Sequence, residues 1–244
     1  MRVTRCHVGL PLQPGGEVVL PEHAGNHLAR VLRLSQGDGC VLFNGDGHDY
    51  AARLLVVGKR EVRVAIESRV EVGNESPLRI ILLQAIARGE KMDLILQKAT
   101  ELGVAAIVPV TGERTEVRLD AERTEKRLAH WHGVLESACG QSGRARLPDL
   151  AAPAALDVVA GSLQGEGLRL LLDPQGGRRL QDLQAPPADR IWIAIGPEGG
   201  WSPRDRQVLD AAGFTGLRLG PRILRTETAG LAAIAALQAR FGDL

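Results

Sequence analysis

Two glycine-bearing loops near the C-terminus carry the side chains best suited to chemistry. The first is IGPEGGWSPRD (195–205). The apolar run IWIAI (191–195) leads into Gly196-Pro197-Glu198-Gly199-Gly200. A helix is expected to follow, with Ser202 as N-cap, Pro203 at N1 and Asp205 at N3. The glycines let the backbone approach a ligand closely, and strand–loop–helix turns of this kind are where open α/β sheets bind ligands. The alternative is a turn that only connects strand to helix. The second loop lies in LRLGPRILRTETAGLAAIAAL (217–237), where a strand is expected to end at Leu219 and Gly220-Pro221 turns the chain. Ile223-Leu224, an apolar pair beside backbone donors, suit an adenine ring. Thr226 can cap the last helix, and Glu227 complements its positive end. Arg225 and Glu227 read either as site groups or as an exposed local ion pair.

Several chemistries lose ground. The G-x-G-x-x-G dinucleotide fingerprint is absent, and no acid ends a second strand about 20 residues on, since Asp210 falls in the expected helix. The Walker lysine motif is missing too, which argues against nucleotide hydrolysis. Cys6, Cys40 and Cys139 are odd in number and far apart, so neither a disulfide framework nor a metal site is expected. That usage fits a reducing cytosol and a cytoplasmic protein. His27, His130 and His132 have no carboxylate or cysteine at ligand spacing, so no metal is assigned. The start, MRVTRCHVGLPL, lacks the continuous apolar stretch of a signal peptide. No apolar run approaches the ~18–20 residues of a membrane span. A net charge of +1 excludes a strongly basic, sequence-blind DNA coat, though not a basic patch. Of 30 basic residues 26 are Arg, which reads either as genomic base composition or as phosphate binding.

The elements that must position the two loops follow from periodicity. Residues 1–72 read as a small β-barrel with one helix over 22–34, in which Leu28, Val31 and Leu32 form the apolar stripe. Strands are expected over 50–57 and 61–70 around Gly58-Lys59, and Asn44-Gly45-Asp46-Gly47 favours a hairpin. Residues 73–244 read as an α/β domain. LRIILLQAI (78–86) is a strand covered on both faces; a helix over 90–102 stops at Gly103, and VAAIVPV (104–110) is the next strand. That βαβ unit calls for a parallel sheet. Further strands are expected at 168–172, 191–195 and 217–219, with helices at 121–142 and 227–241. Trp131 and Trp192 are core candidates. Ala229, Gly230, Ala232, Ala233 and Ala236 suit either a dimer interface or packing on the chain's own sheet.

Taken together, GPEGG before a helix and LGPRILRTETA resemble the SPOUT superfamily of α/β-knot methyltransferases. Within it the chain resembles the bacterial 16S ribosomal RNA uridine-N3 methyltransferases. HLARVLRLSQGD (27–38), EKMDLILQKATELGVAAIVPVTGERT (90–115) and ACGQSGRARLP (138–148) carry the likeness upstream. Gly140 stands where that family usually has Glu.

The resemblance implies a PUA-like RNA-binding barrel over 1–72 and a SPOUT domain with a C-terminal trefoil knot over 73–244. It implies S-adenosylmethionine as cofactor, held by Leu172, Ile195, Gly196, Glu198, Gly199, Gly200, Leu219, Gly220, Ile223, Leu224, Arg225 and Thr228. It further implies a homodimer acting on 16S rRNA or the small ribosomal subunit. Methylation of uracil N3 requires removal of a proton and a positive group for the charge spread over O2 and O4. Arg225 is the expected electrostatic partner, with Glu198 and Glu227 as orienting groups or a proton route. Arg2, Arg5, Arg30, Arg33, Lys91, Arg114 and Arg144 are the expected RNA contacts. The rival readings are a SPOUT enzyme for another rRNA or tRNA position and a non-catalytic RNA-binding assembly factor.

Overall fold

The computed structural model of the chain describes residues 4–58, 61–117 and 120–244. Two compact units divide it: Met1–Glu75 with Glu136–Leu147, and Ser76–Leu135 with Pro148–Leu244. Arg2 and the turn residue Lys59 lie outside the described residues.

The first unit holds β1 (Arg5–His7), β2 (Glu17–Val19), α1 (Glu22–Asn26), β3 (Gly39–Phe43), β4 (His48–Val57) and β5 (Val62–Glu71). Its sheet runs in the order β1-β3-β4-β5-β2. Among the described residues, only β1 and β3 of this sheet pair in parallel. In the turn between β3 and β4, Gly45 and Gly47 take φ of +93° and +94°, conformations glycine adopts at little cost. The expected helix over 22–34 is shorter. After α1 the chain makes a π-helical turn, His27–Val31, in which the Leu32 N–H reaches back to the His27 carbonyl at 3.0 Å. The wider turn shifts the register, so Leu28 is fully buried but Val31 is 68% exposed. The core of this unit is Leu28, Leu42, Tyr50, Leu54, Val64 and Ile66 with their neighbours.

The second unit holds β6 (Arg79–Ala85), α2 (Glu90–Glu101), β7 (Ala106–Thr111), most of α3 (Ala121–Ser142), β8 (Asp149–Leu150), β9 (Ala154–Ala155) and α4 (Leu156–Ser162). It continues with β10 (Leu168–Leu172), β11 (Arg178–Arg179), β12 (Arg190–Ile195), α5 (Pro203–Ala211), β13 (Thr215–Arg218) and α6 (Thr226–Phe241). The sheet order is β11-β13-β10-β12-β6-β7-β8, with β9 also on β7, and every described pair is parallel. Because helices cover both faces, the central strands carry near-continuous apolar runs. Ile80, Leu82, Ile193 and Ile195 face a core with Trp131 and Leu135, while Leu83, Trp192 and Ala194 face one with Leu156, Trp201 and Phe214. β13 starts two residues earlier than its apolar run, since Thr215 and Gly216 also pair with β10.

No helix among the described residues is long and apolar enough to cross a membrane. All three cysteines are free thiols. Burial pushes Cys6, Cys40 and Cys139 up to about 11, 12 and 11, so they stay protonated at neutral pH and make poor nucleophiles. Among the described residues no three His, Cys, Asp or Glu gather as a metal site.

Candidate active site

The ends of β10, β12 and β13 open onto one pocket of about 500 Å³ at the carboxyl edge of the parallel sheet. Leu172, Asp173 and Pro174 come from the first of these ends, and 195–201 from the second. Leu217, Leu219, Gly220, 222–227 and Ala229 add a third wall, with Lys91 from α2 and Arg206 from α5. The two glycine loops therefore meet.

The loops are locked together from behind. Gln84 is fully buried near the end of the central strand β6, where its Nε2 donates to Thr226 Oγ1 at 3.1 Å. Thr226 Oγ1 in turn donates to the Gly196 carbonyl at 2.7 Å. Thr226 is thus the first residue of α6 and a tie to the GPEGG loop, while Arg225 occupies the N-cap with no side-chain cap bond. That corrects the expectation of Thr226 as cap. α5 starts as expected: Ser202 accepts from the Asp205 N–H at 3.0 Å, and Asp205 accepts from the Ser202 N–H at 3.1 Å. Asp205 also accepts from the Glu113 N–H, and Arg114 donates to the Gly199 carbonyl at 3.0 Å. The E-R-T turn after β7 thereby braces the GPEGG loop.

The pocket is electrically mixed. Lys91 Nζ lies 3.4 Å from Glu198 Oε1 and 3.6 Å from Glu227 Oε2. Burial raises the Glu198 carboxyl, but backbone N–H groups, including that of Arg88, and the Lys91 ammonium outweigh it and hold the group below its ordinary value. Asp173 behaves likewise: burial raises it, while Arg206, at 2.5 Å, and the Gln175 N–H pull it lower overall. Glu227 pairs with Lys91 and not with Arg225. Among the described residues, the Arg225 guanidinium has no carboxylate within ion-pair distance. Two buried polar atoms of pocket residues, Trp201 Nε1 and Glu227 Oε2, have no hydrogen-bond partner among the described residues. Trp201 also belongs to the apolar cluster under the sheet, so it both packs and lines.

The expected residues divide clearly. Arg225, Glu198 and Glu227 all line the pocket, as do Leu172, Ile195, Gly196, Gly199, Gly200, Leu219, Gly220, Ile223 and Leu224. Thr228 is exposed on α6 and is not in the lining. Of the expected RNA contacts, Lys91 is in the pocket, Arg114 is beside it, and Arg30 and Arg33 are exposed on the first unit. Arg5 and Arg144 turn inward. Arg5 is bound to Asp49 and to the carbonyls of Cys139 and Arg144, and Arg144 is bound to Glu75 at 2.6 Å with 5% exposure. Neither offers its guanidinium to a phosphate. Nothing in the sequence singles out Asp173 or Arg206 as site residues, and Gln84 shows only as a lone glutamine inside the apolar run 78–86.

Residues 74–238 match the RNA methyltransferase domain family, and residues 20–67 match the RNA methyltransferase PUA domain. The chain belongs to this RNA methyltransferase family. Relatives include the ribosomal RNA small subunit methyltransferase E of Buchnera aphidicola, 30% identical over all of this chain and 98% of its own. That of Mycobacterium bovis is 32% identical over 91% of this chain and 86% of its own. Among solved structures, the Neisseria gonorrhoeae ribosomal RNA small subunit methyltransferase E bound to S-adenosyl methionine is 39% identical, with full coverage of both chains and a TM-score of 0.92. A Legionella pneumophila protein in complex with the cofactor SAM is 41% identical, again with full coverage of both chains and a TM-score of 0.96. The glycine loops of this methyltransferase domain and the parallel sheet beneath them thus lie wholly inside the matched region.

Proposed function

We propose that the chain transfers a methyl group from S-adenosylmethionine to N3 of a uridine in 16S rRNA of the small ribosomal subunit. The observation that carries this reading is the meeting of both glycine loops around one pocket that also holds Arg225, Glu198 and Glu227. Its residues fit the cofactor. The volume suits a ligand of that size, and Ile223 and Leu224 offer an apolar face. The unpartnered Trp201 N–H suits a ligand that brings an acceptor. Arg30 and Arg33 on the barrel, with Arg114 near the pocket, are the phosphate contacts in this reading. The active species is a homodimer whose C-terminal chain threads a knot, working in the cytoplasm where free thiols persist. All three points follow the family likeness and the cysteine usage.

Binding of S-adenosylmethionine separates this reading from a non-catalytic assembly factor. At about 100 times Kd the cofactor adds about 2.7 kcal/mol of stability. A thermal melt with millimolar cofactor is expected to rise accordingly, and an unmoved melt favours the assembly factor.

A further inference from the structure

Lys91 is read from sequence as a phosphate contact, yet its surroundings are those of a reaction centre. It is the second residue of α2, and its ammonium is loosely shared between Glu198 Oε1 at 3.4 Å and Glu227 Oε2 at 3.6 Å. Both distances exceed an ordinary N–H···O bond. An ammonium has three donors, so even with both glutamates counted at least one remains for a ligand group inside the pocket. Glu227 lines the same pocket, and its Oε2 is buried with no hydrogen-bond partner among the described residues, so the carboxylate keeps an unused acceptor. Arg225 adds a second donor to the same wall.

Lys91 and Arg225 therefore put two cationic donors, and Glu227 an acceptor, on the wall of one pocket. The Watson–Crick edge of uracil offers the complement: a carbonyl oxygen, the N3–H and a second carbonyl oxygen. Cytosine carries no proton at N3 and an amino group at C4, so it does not match.

We propose that Lys91 is a catalytic residue of the methyl transfer inferred above, holding one uracil carbonyl oxygen as negative charge builds on it. The assignment rests on that reading of the pocket. The N3 proton leaves first, to the Glu227 carboxylate, which becomes a carboxylic acid, and the electron pair of the N–H bond stays on N3 in the ring plane, the direction from which the methyl group then arrives. When bound, S-adenosylmethionine supplies the methyl group: the N3–C bond forms as the C–S bond breaks, and the C–S electron pair remains on sulfur as a neutral thioether. Lys91 and Arg225 steady the charge on the two oxygens, and a preorganised cation is most effective where water is excluded.

The experiment compares wild type, Lys91→Met and Lys91→Arg. The readouts are single-turnover transfer of labelled methyl from S-adenosylmethionine to small-subunit particles lacking the modification, cofactor affinity by calorimetry, and particle affinity across salt. K91M is expected to lower the rate at saturating substrates about 100-fold, with both affinities within about threefold of wild type, and K91R to recover about tenfold of the loss. A rate near wild type overturns the assignment. So does a loss explained wholly by weaker particle binding with a shallower salt slope, which marks a phosphate contact. A loss explained by weaker cofactor binding overturns it equally. An inactive wild type sinks the proposed reaction itself, and this assignment with it.

Discussion

Alanine in place of Arg225 lowers methyl transfer about 100-fold or more while the protein stays folded, the scale seen when one preorganised donor is lost. The structure separates the two roles of this residue. Its backbone carbonyl accepts from the N–H groups of Thr228 and Ala229 at 2.9 and 2.8 Å, and alanine preserves both bonds. Its side chain is exposed at the pocket wall and, among the described residues, meets no carboxylate. Truncation therefore leaves no buried charge behind, and the melting temperature holds. Single-turnover rates beside thermal melts check this. A change below about threefold with an intact fold removes Arg225 from the transition state.

Alanine at Gly176 acts through packing instead. A Cβ there lies 2.7 Å from the Gly216 carbonyl carbon and 3.0 Å from the Leu217 nitrogen. Both neighbours are backbone, so no side chain can swing away. The segment after β10 and strand β13 must part, and these carry Asp173 and Pro174 on one side of the pocket and Leu217 and Leu219 on the other. Overpacking of this kind costs about 1–3 kcal/mol, or roughly 2–12 °C in Tm at this chain length. Affinity for S-adenosylmethionine falls with it. Gly177→Ala is the control, because a Cβ there meets nothing within 4 Å. Melts and calorimetry on the pair test the argument, and a G176A protein that melts and binds as wild type contradicts it.

The central strands were legible because a sheet covered on both faces demands unbroken apolar runs. Leu168–Leu172 and Arg190–Ile195 sit where those runs predict. β13 was less so, since its first half is Thr-Gly and gains its pairing from β10. The helix over 22–34 misled for a different reason. Residue spacing assumes 3.6 residues per turn, and the π turn at His27–Val31 breaks that period and exposes Val31.

Within the site, the loops announce themselves by glycine and proline, but their neighbours do not. Lys91 precedes Glu198 by more than a hundred positions, and only the adjacency of β6 and β12 joins them. Asp173 and Arg206 come together by the same route through β10. Arg5 and Arg144 look like surface cations in the sequence. Their fate is set by Asp49 and Glu75, partners that only the fold brings within reach.

The most direct test of the whole account is the chemical identity of the product nucleoside. Purified protein, labelled S-adenosylmethionine and unmodified small-subunit particles are incubated, the 16S rRNA is digested, and the labelled nucleoside is identified by mass spectrometry. The account predicts 3-methyluridine at a single position. A methyl group on a ribose oxygen, on a carbon or on another base, or no incorporation at all, contradicts it.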